Sequence, residues 1–118
     1  MNTRKIGATG EQKAVDFLIA NGCKIMERNV HFSRIGEIDI IAKDTDGTIV
    51  FVEVKYNQQK NSQFGGPEAR CNVRKIKQII KLAKFYIHNK KLYNKAVRID
   101  VIAIDENGLR HYKNCSMM

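Results

Sequence analysis

Residues 36–55 read GEIDIIAKDTDGTIVFVEVK. With a period of two, Ile35 to Ala42 and Thr48 to Tyr56 are apolar and rich in β-branched residues, and Asp46-Gly47 between them is a strong hairpin signal. Two antiparallel strands are predicted. Alternation puts Glu37 and Asp39 on one face of the first strand, opposite Ile38 and Ile40. Phe51, Glu53 and Lys55 share a face of the second, opposite Val52 and Val54. Where those faces meet, the acids cluster. A desolvated carboxylate costs roughly several kcal/mol unless it binds a cation or a hydrogen-bond donor, so a metal ion or a salt bridge must answer them.

Both answers stay open on residue types alone. In one, Glu53 pairs with Lys55 or a neighbouring arginine while Glu37 and Asp39 sit at a solvated edge. In the other, Asp39 and Glu53 are hard oxygen ligands for Mg²⁺ or Mn²⁺, with Val54 as a further metal position, and Lys55 points at the same site. Such a lysine orients or activates a water, while the metal polarises a phosphoryl oxygen and absorbs developing charge. These are the requirements of phosphodiester hydrolysis.

Asp39 in a first strand, a hairpin, then Glu53-Val54-Lys55 in the next resembles the PD-(D/E)XK nuclease superfamily. Gly10-Glu11 with Ala14, Arg28-Asn29, Gly36-Glu37-Ile38-Asp39, Phe51 to Lys55 and Arg98 to Ile102 resemble one branch, the YraN family of small bacterial proteins, over nearly the whole chain. That family is itself held to be nuclease-like by its likeness to archaeal Holliday junction resolvases. The resemblance implies a restriction-endonuclease-like α/β (α+β) core and metal-dependent cleavage of DNA, including branched DNA. It implies further that Glu11 approaches the metal site as an outer ligand or second-metal contact, and that Glu37 assists. Resolvase-like relatives commonly act as dimers because two strands need two cuts, so a homodimer is implied, although no dimer face is legible in the sequence. The family usually carries an arginine near position 57, where this chain has Asn57.

At 118 residues the chain fits one domain, 1–118, with a modest core. No apolar run approaches the roughly 20 residues that span a bilayer, and MNTRKIGATGEQ lacks an apolar signal core, so a cytoplasmic protein without membrane contact is expected. Cys23, Cys71 and Cys115 are widely spaced and form no C-x-x-C pair; buried or idle thiols are the expectation rather than a disulfide framework or zinc ribbon. His31, His88 and His111 share no ligand spacing.

The net charge of +9 points to an anionic complement: nucleic acid, an anionic membrane or an acidic protein. From Ala69 to Ile99 there is no acid, but Arg70, Arg74, Lys75, Lys77, Lys81 and Lys84 stand there among other cations. Read as a helix after Pro67, the segment sets Val73, Ile76, Ile80, Ala83 and Ile87 on an apolar stripe, with Arg74, Lys77, Lys81, Lys84 and His88 beside it. Like charges at i,i+4 destabilise a helix by about a few tenths of a kcal/mol per pair, and a solvated face usually interleaves acids. The pattern favours contact with phosphates, with Arg70, Arg74, Lys77, Lys81 and Lys84 as the candidates; few aromatics accompany them, which suits backbone binding better than base reading. A general lysine bias is the bland alternative.

Around this frame, Thr3 to Asn21 fits a helical period with Ala8, Glu11, Val15 and Leu18 on one face. Glu11 thus interrupts an inward stripe, where a buried arginine or the helix dipole is the simple explanation. Lys24 to Phe32 reads as an edge strand. Val97 to Ile104 is an apolar strand with Arg98, Asp100 and Ile102 on one side, and a turn at Asp105 to Gly108 leads to a last strand near Leu109 to Tyr112. Asp100 is read as a structural partner for Arg98 or Arg28. Asn57 to Glu68 is polar, with Gly65-Gly66-Pro67, and reads as a loop after Lys55. The order α-β-β-β-α-β-β predicts a mixed sheet flanked by helices. The non-enzymatic alternative is a nucleic-acid-binding module that retains the nuclease fold.

Overall fold

Asp46 and Gly47 make the predicted turn. Gly47 has φ +89°, its N–H donates to the Asp44 carbonyl at 3.0 Å, and Thr48 N–H donates to Asp46 Oδ1 at 3.0 Å. In this computed structural model, which describes residues 3–56 and 72–115, the elements are α1 (Thr3–Ala20), β1 (Lys24–Phe32), β2 (Gly36–Lys43), β3 (Ile49–Tyr56), α2 (Val73–Lys90), β4 (Val97–Asp105) and β5 (Gly108–Tyr112). Among the described residues the expected order is the one found. The loop read at Asn57 to Glu68, with Asn57 itself, Arg70 and Cys71, lies outside the described residues.

The five strands form one mixed sheet in the order β1-β2-β3-β4-β5. Only β3 and β4 are parallel, from Ile49↔Val97 to Tyr56↔Ile104, as a connection through α2 requires. α1 covers one face, packing Ala14, Val15 and Leu18 over Ile40, Val50, Val52 and Ile102. α2 covers the other with Ile76, Ile79, Leu82 and Tyr86 over Ile41, Phe51, Ile99 and Val101. Burial on both faces is why β3 and β4 read as continuous apolar runs. No helix among the described residues is long and apolar enough to cross a membrane.

α2 begins at Val73: Asn72 is extended (φ −67°, ψ 115°) and its side chain accepts from Lys75 N–H at 3.1 Å as an N-cap. Two expectations need correction. The inward stripe of α2 is rotated, for Val73 is 56% exposed and the buried residues are Ile76, Ile79, Leu82, Ala83 and Tyr86. The apolar arc of this helix is wide enough for either choice, and the sheet selects one. Finally, Cys115 is disulfide-bonded rather than an idle thiol, while Cys23 is free.

Strict alternation also fails on β1 and β2. Ile40 packs toward α1, but Ile38, two residues earlier, packs toward α2 together with its cross-strand partner Val30. Asn29 lies between Arg28 and Val30 with φ +52°, a left-handed residue inside a strand, and this turns the following side chains over.

Candidate active site

The β2–β3 ladder runs from Lys43↔Ile49 to Ile40↔Val52 and then opens. At the opening, Asp39 Oδ2 accepts the Val54 backbone N–H at 2.8 Å, so a carboxylate takes the place of the next ladder acceptor. The parted strands leave a pocket lined by Glu37, Ile38, Asp39, Val52, Glu53, Lys75 and Ile79. Val54 enters through its backbone: its N–H anchors Asp39, which leaves its carbonyl as the atom it has to offer a cation.

Glu53 is largely buried, its side chain 12% exposed. Oε1 lies 3.6 Å from Lys75 Nζ, whereas Oε2 is buried and accepts no hydrogen bond from any described residue. Burial raises the Glu53 pKa, against the charges of Lys75 and Lys55. Asp39 is pushed up to about 6, first by burial and then by the charges of Glu53, Glu37 and Glu11, with the Val54 N–H bond pulling the other way. Lys55, two residues beyond Glu53 on β3, shares its face.

This is a half-answered charge. A buried carboxylate oxygen without a donor is rare and costly, and a divalent cation with hard oxygen ligands is one thing that satisfies it. Asp39, Glu53 and the Val54 carbonyl fit such an ion as a partial set to be completed by water. Among the described residues no three His, Cys, Asp or Glu side chains gather closely enough to hold a metal by themselves.

Glu37 stands at the pocket mouth, half-exposed, with His31 Nε2 3.1 Å from its Oε2. Glu11 arrives from α1. Its Oε1 accepts from Arg28 Nε at 3.2 Å and Asn29 Nδ2 at 3.0 Å, so its nearest partners are those donors, while its charge is still felt at Asp39. Consecutive strand residues ordinarily point to opposite faces, and it is the left-handed backbone of Asn29 that lets both reach one carboxylate. Gly10 makes the approach of α1 close: a Cβ there would fall 2.6 Å from Tyr56 Cδ2. Glu11 and the Arg28-Asn29 pair, far apart in sequence, are thus two halves of one contact, with Gly10 setting the approach of α1 against Tyr56.

On α2, Arg74, Lys77, Lys81 and Lys84 are all exposed, and they climb away from the pocket. At about 1.5 Å per residue, Lys77, Lys81 and Lys84 lie about 3, 9 and 14 Å beyond Lys75 along the axis. The helix cation that does reach the acids is Lys75, absent from the expected set. Gln78 seats that end of the helix, its Nε2 donating to the Ile35 carbonyl at 2.6 Å. The signal for Lys75 was its place on the inward edge of the helix beside Ile76 and Ile79, and it needed the correct rotation to be read.

Asp100 is elsewhere. It is fully buried, held by Arg98 Nε at 3.1 Å, His111 Nε2 at 2.8 Å and Asn114 N–H at 2.9 Å. Burial would push its carboxyl up, but those three bonds outweigh it and leave the pKa below the usual carboxylate range. Arg98 also pairs with Asp44 at 2.7 Å. This closed network, on the α1 side of the sheet rather than the α2 side where the pocket lies, matches the structural role read for Asp100.

The model of the family described as "Uncharacterised protein family UPF0102" matches residues 10–104. A UPF0102 protein of Persephonella marina is 45% identical over 108 residues, covering 92% of this chain and 90% of that one. UPF0102 protein CD630_12710 of Clostridioides difficile is 42% identical over 116 residues, covering 97% and 98%. Among solved structures, an EndoMS–dsDNA complex aligns with TM-score 0.48 and 18% identity, over 84% of this chain and 38% of that one. SfsA of Pyrococcus furiosus in complex with Ca²⁺ aligns with TM-score 0.43 and 19% identity, over 95% and 63%.

Proposed function

We propose that this chain, which belongs to the uncharacterised protein family UPF0102, is a divalent-metal-dependent nuclease that hydrolyses phosphodiester bonds in DNA, with branched or structured DNA as its substrate class. The observation that carries the reading is Glu53 Oε2, buried without a donor among the described residues, beside Asp39 where the strands part. Asp39, Glu53 and the Val54 carbonyl would hold Mg²⁺ or Mn²⁺, which when bound supplies Lewis acidity toward a phosphoryl oxygen and a water of lowered pKa. Lys55, on the same face as Glu53, orients the attacking water. Glu37 accepts hydrogen bonds at the mouth, and Glu11 adds negative charge from behind, held in place by Arg28 and Asn29. Arg74, Lys77, Lys81 and Lys84 hold phosphates along the exposed face of α2, a contact set that reads charge and spacing rather than bases. Arg70 precedes that set in the sequence. Cutting both strands takes two sites, so the working assembly in this reading is a homodimer.

The test is to incubate the protein with plasmid, single-stranded and four-way-junction DNA in Mg²⁺ or Mn²⁺. Glu53→Ala and Lys55→Ala should each lower cleavage by at least about a hundredfold. Persistence of cleavage in both variants would remove the site assignment.

One observation favours a second reading, a non-catalytic nucleic-acid-binding module: among the described residues no third side-chain ligand joins Asp39 and Glu53 closely enough to complete a metal cluster. Calorimetry separates the two. Mn²⁺ binding that disappears in Asp39→Ala supports the nuclease, and absence of binding in the parent protein supports the module.

A further inference from the structure

Lys75 is a pocket residue by position, yet neither the acid set nor the exposed phosphate-binding face needs it. Its ammonium is 3.6 Å from Glu53 Oε1, longer than the roughly 2.7–2.9 Å of a charge-assisted hydrogen bond, and Oε2 has no donor among the described residues. The backbone beneath it is pinned: its own N–H donates to the Asn72 cap at 3.1 Å, and Gln78 ties the next turn to Ile35. The side chain is not pinned. It is 40% exposed, on a four-carbon stem with free rotors.

We propose that Lys75 is the internal cation of this site. Its ammonium partners Glu53 while no divalent ion is bound, and yields the carboxylate when one enters, swinging to the pocket mouth to meet a substrate phosphate. The inference rests on the reading that Asp39 and Glu53 bind a divalent metal. A divalent ion on Glu53 and an ammonium within 4 Å of the same carboxylate repel each other, so they occupy Glu53 in alternation. The released ammonium remains at the first turn of α2, on the pocket side of the helix. Lys75 is therefore a positioning residue for the metal and a ligand for the substrate, in that order.

The test needs no turnover. Mn²⁺ is titrated calorimetrically, without nucleic acid, into the parent protein, Lys75→Met, Lys75→Gln and Lys75→Arg. The two neutral variants should bind Mn²⁺ about two- to fivefold more tightly, the range that a partly solvated charge pair supports, and Lys75→Arg should stay within about 1.5-fold of the parent because its cation remains. In a second measurement, anisotropy of a labelled DNA junction, Lys75→Met should weaken binding at least about threefold in Ca²⁺ and leave it unchanged in EDTA, where Lys75 is held by Glu53. Equal or weaker Mn²⁺ binding in both neutral variants overturns the proposal, as does a DNA-binding loss of the same size in EDTA. If the parent protein binds no Mn²⁺, the metal reading itself falls and the role of Lys75 falls with it; if the parent binds and the variants do not differ, only Lys75 is misassigned.

Discussion

Asp39 and Val54 are joined side chain to backbone, Oδ2 to N–H at 2.8 Å, at the point where β2 and β3 stop pairing. The bond does two things at once. It satisfies a strand N–H that the opened ladder would strand, and it turns a carboxylate into the wall of the pocket. The acid stays there at a cost, because it is desolvated beside Glu53 and Glu37.

That cost is measurable. The Asp39 carboxyl, at 3.8 in an unfolded chain, is pushed up to about 6 in the folded one. Below about pH 4 it is neutral in both states and contributes nothing; between about pH 4 and 6 the unfolded chain gives up the proton first, so stability falls as pH rises; above about pH 6 the full penalty is present. Asp39→Asn keeps an oxygen for Val54 and removes the charge. It should stabilise the metal-free protein by about 3 kcal/mol at pH 8 and by nothing near pH 4, as read from urea melts in EDTA. A gain that does not depend on pH would contradict the assignment of Asp39 as the strained acid.

Gly10 offers a packing test that runs against helix propensity. Alanine favours a helix interior over glycine by about 1 kcal/mol, yet a Cβ at Gly10 would lie within 3 Å of Tyr56 Cβ, Cγ and Cδ2, atoms near the backbone that cannot swing clear. Gly10→Ala should therefore destabilise by about 1–3 kcal/mol, and the loss should shrink in a Tyr56→Ala background. A thermal-melt double-mutant cycle with no coupling would show that α1 has room to move.

Asn29 separates backbone from side chain. Asn29→Gly keeps the left-handed conformation and loses only the bond to Glu11, while Asn29→Ala loses the bond and also places a Cβ at φ +52°. The expected losses are about 1 kcal/mol for glycine and about 2 for alanine. Chemical denaturation that ranks them in reverse would remove the left-handed turn as the reason Arg28 and Asn29 share Glu11.

The exposed cations of α2 predict a salt signature. Replacing Lys77, Lys81 and Lys84 together by glutamine should lower DNA affinity evenly across sequences and reduce the slope of log K against log salt by about 3 units, close to one for each phosphate no longer neutralised. A filter-binding salt series reads it. An unchanged slope would leave those lysines as a solvated helix face.

Much of this was legible in the chain. The hairpin, the edge strand, the parallel strand after α2 and the turn at Gly47 follow from period-two patterning and turn chemistry, which act within a few residues. Asp100 was readable as structural because a lone acid on an apolar strand beside Arg98 has an obvious partner. The rotation of α2 was not readable. Ile79 and Ile80 are adjacent and both apolar, and nothing local says which of them the sheet will bury.

Patterning local to the chain sets the order of elements, the mixed sheet and the pairing of β2 with β3, because turn geometry and side-chain periodicity are properties of the backbone; the meeting of Glu37, Asp39 and Glu53 in one pocket is not among these, since alternation breaks between Ile38 and Ile40. Packing between distant segments leaves Glu53 Oε2 buried without a donor among the described residues, brings Lys75 rather than the exposed stripe to Glu53 Oε1, and holds Glu11 with Arg28 and Asn29. The burial of one charged atom depends on where β2, β3 and α2 cross, and those crossings are set by packing between segments far apart in the chain, which no local pattern encodes.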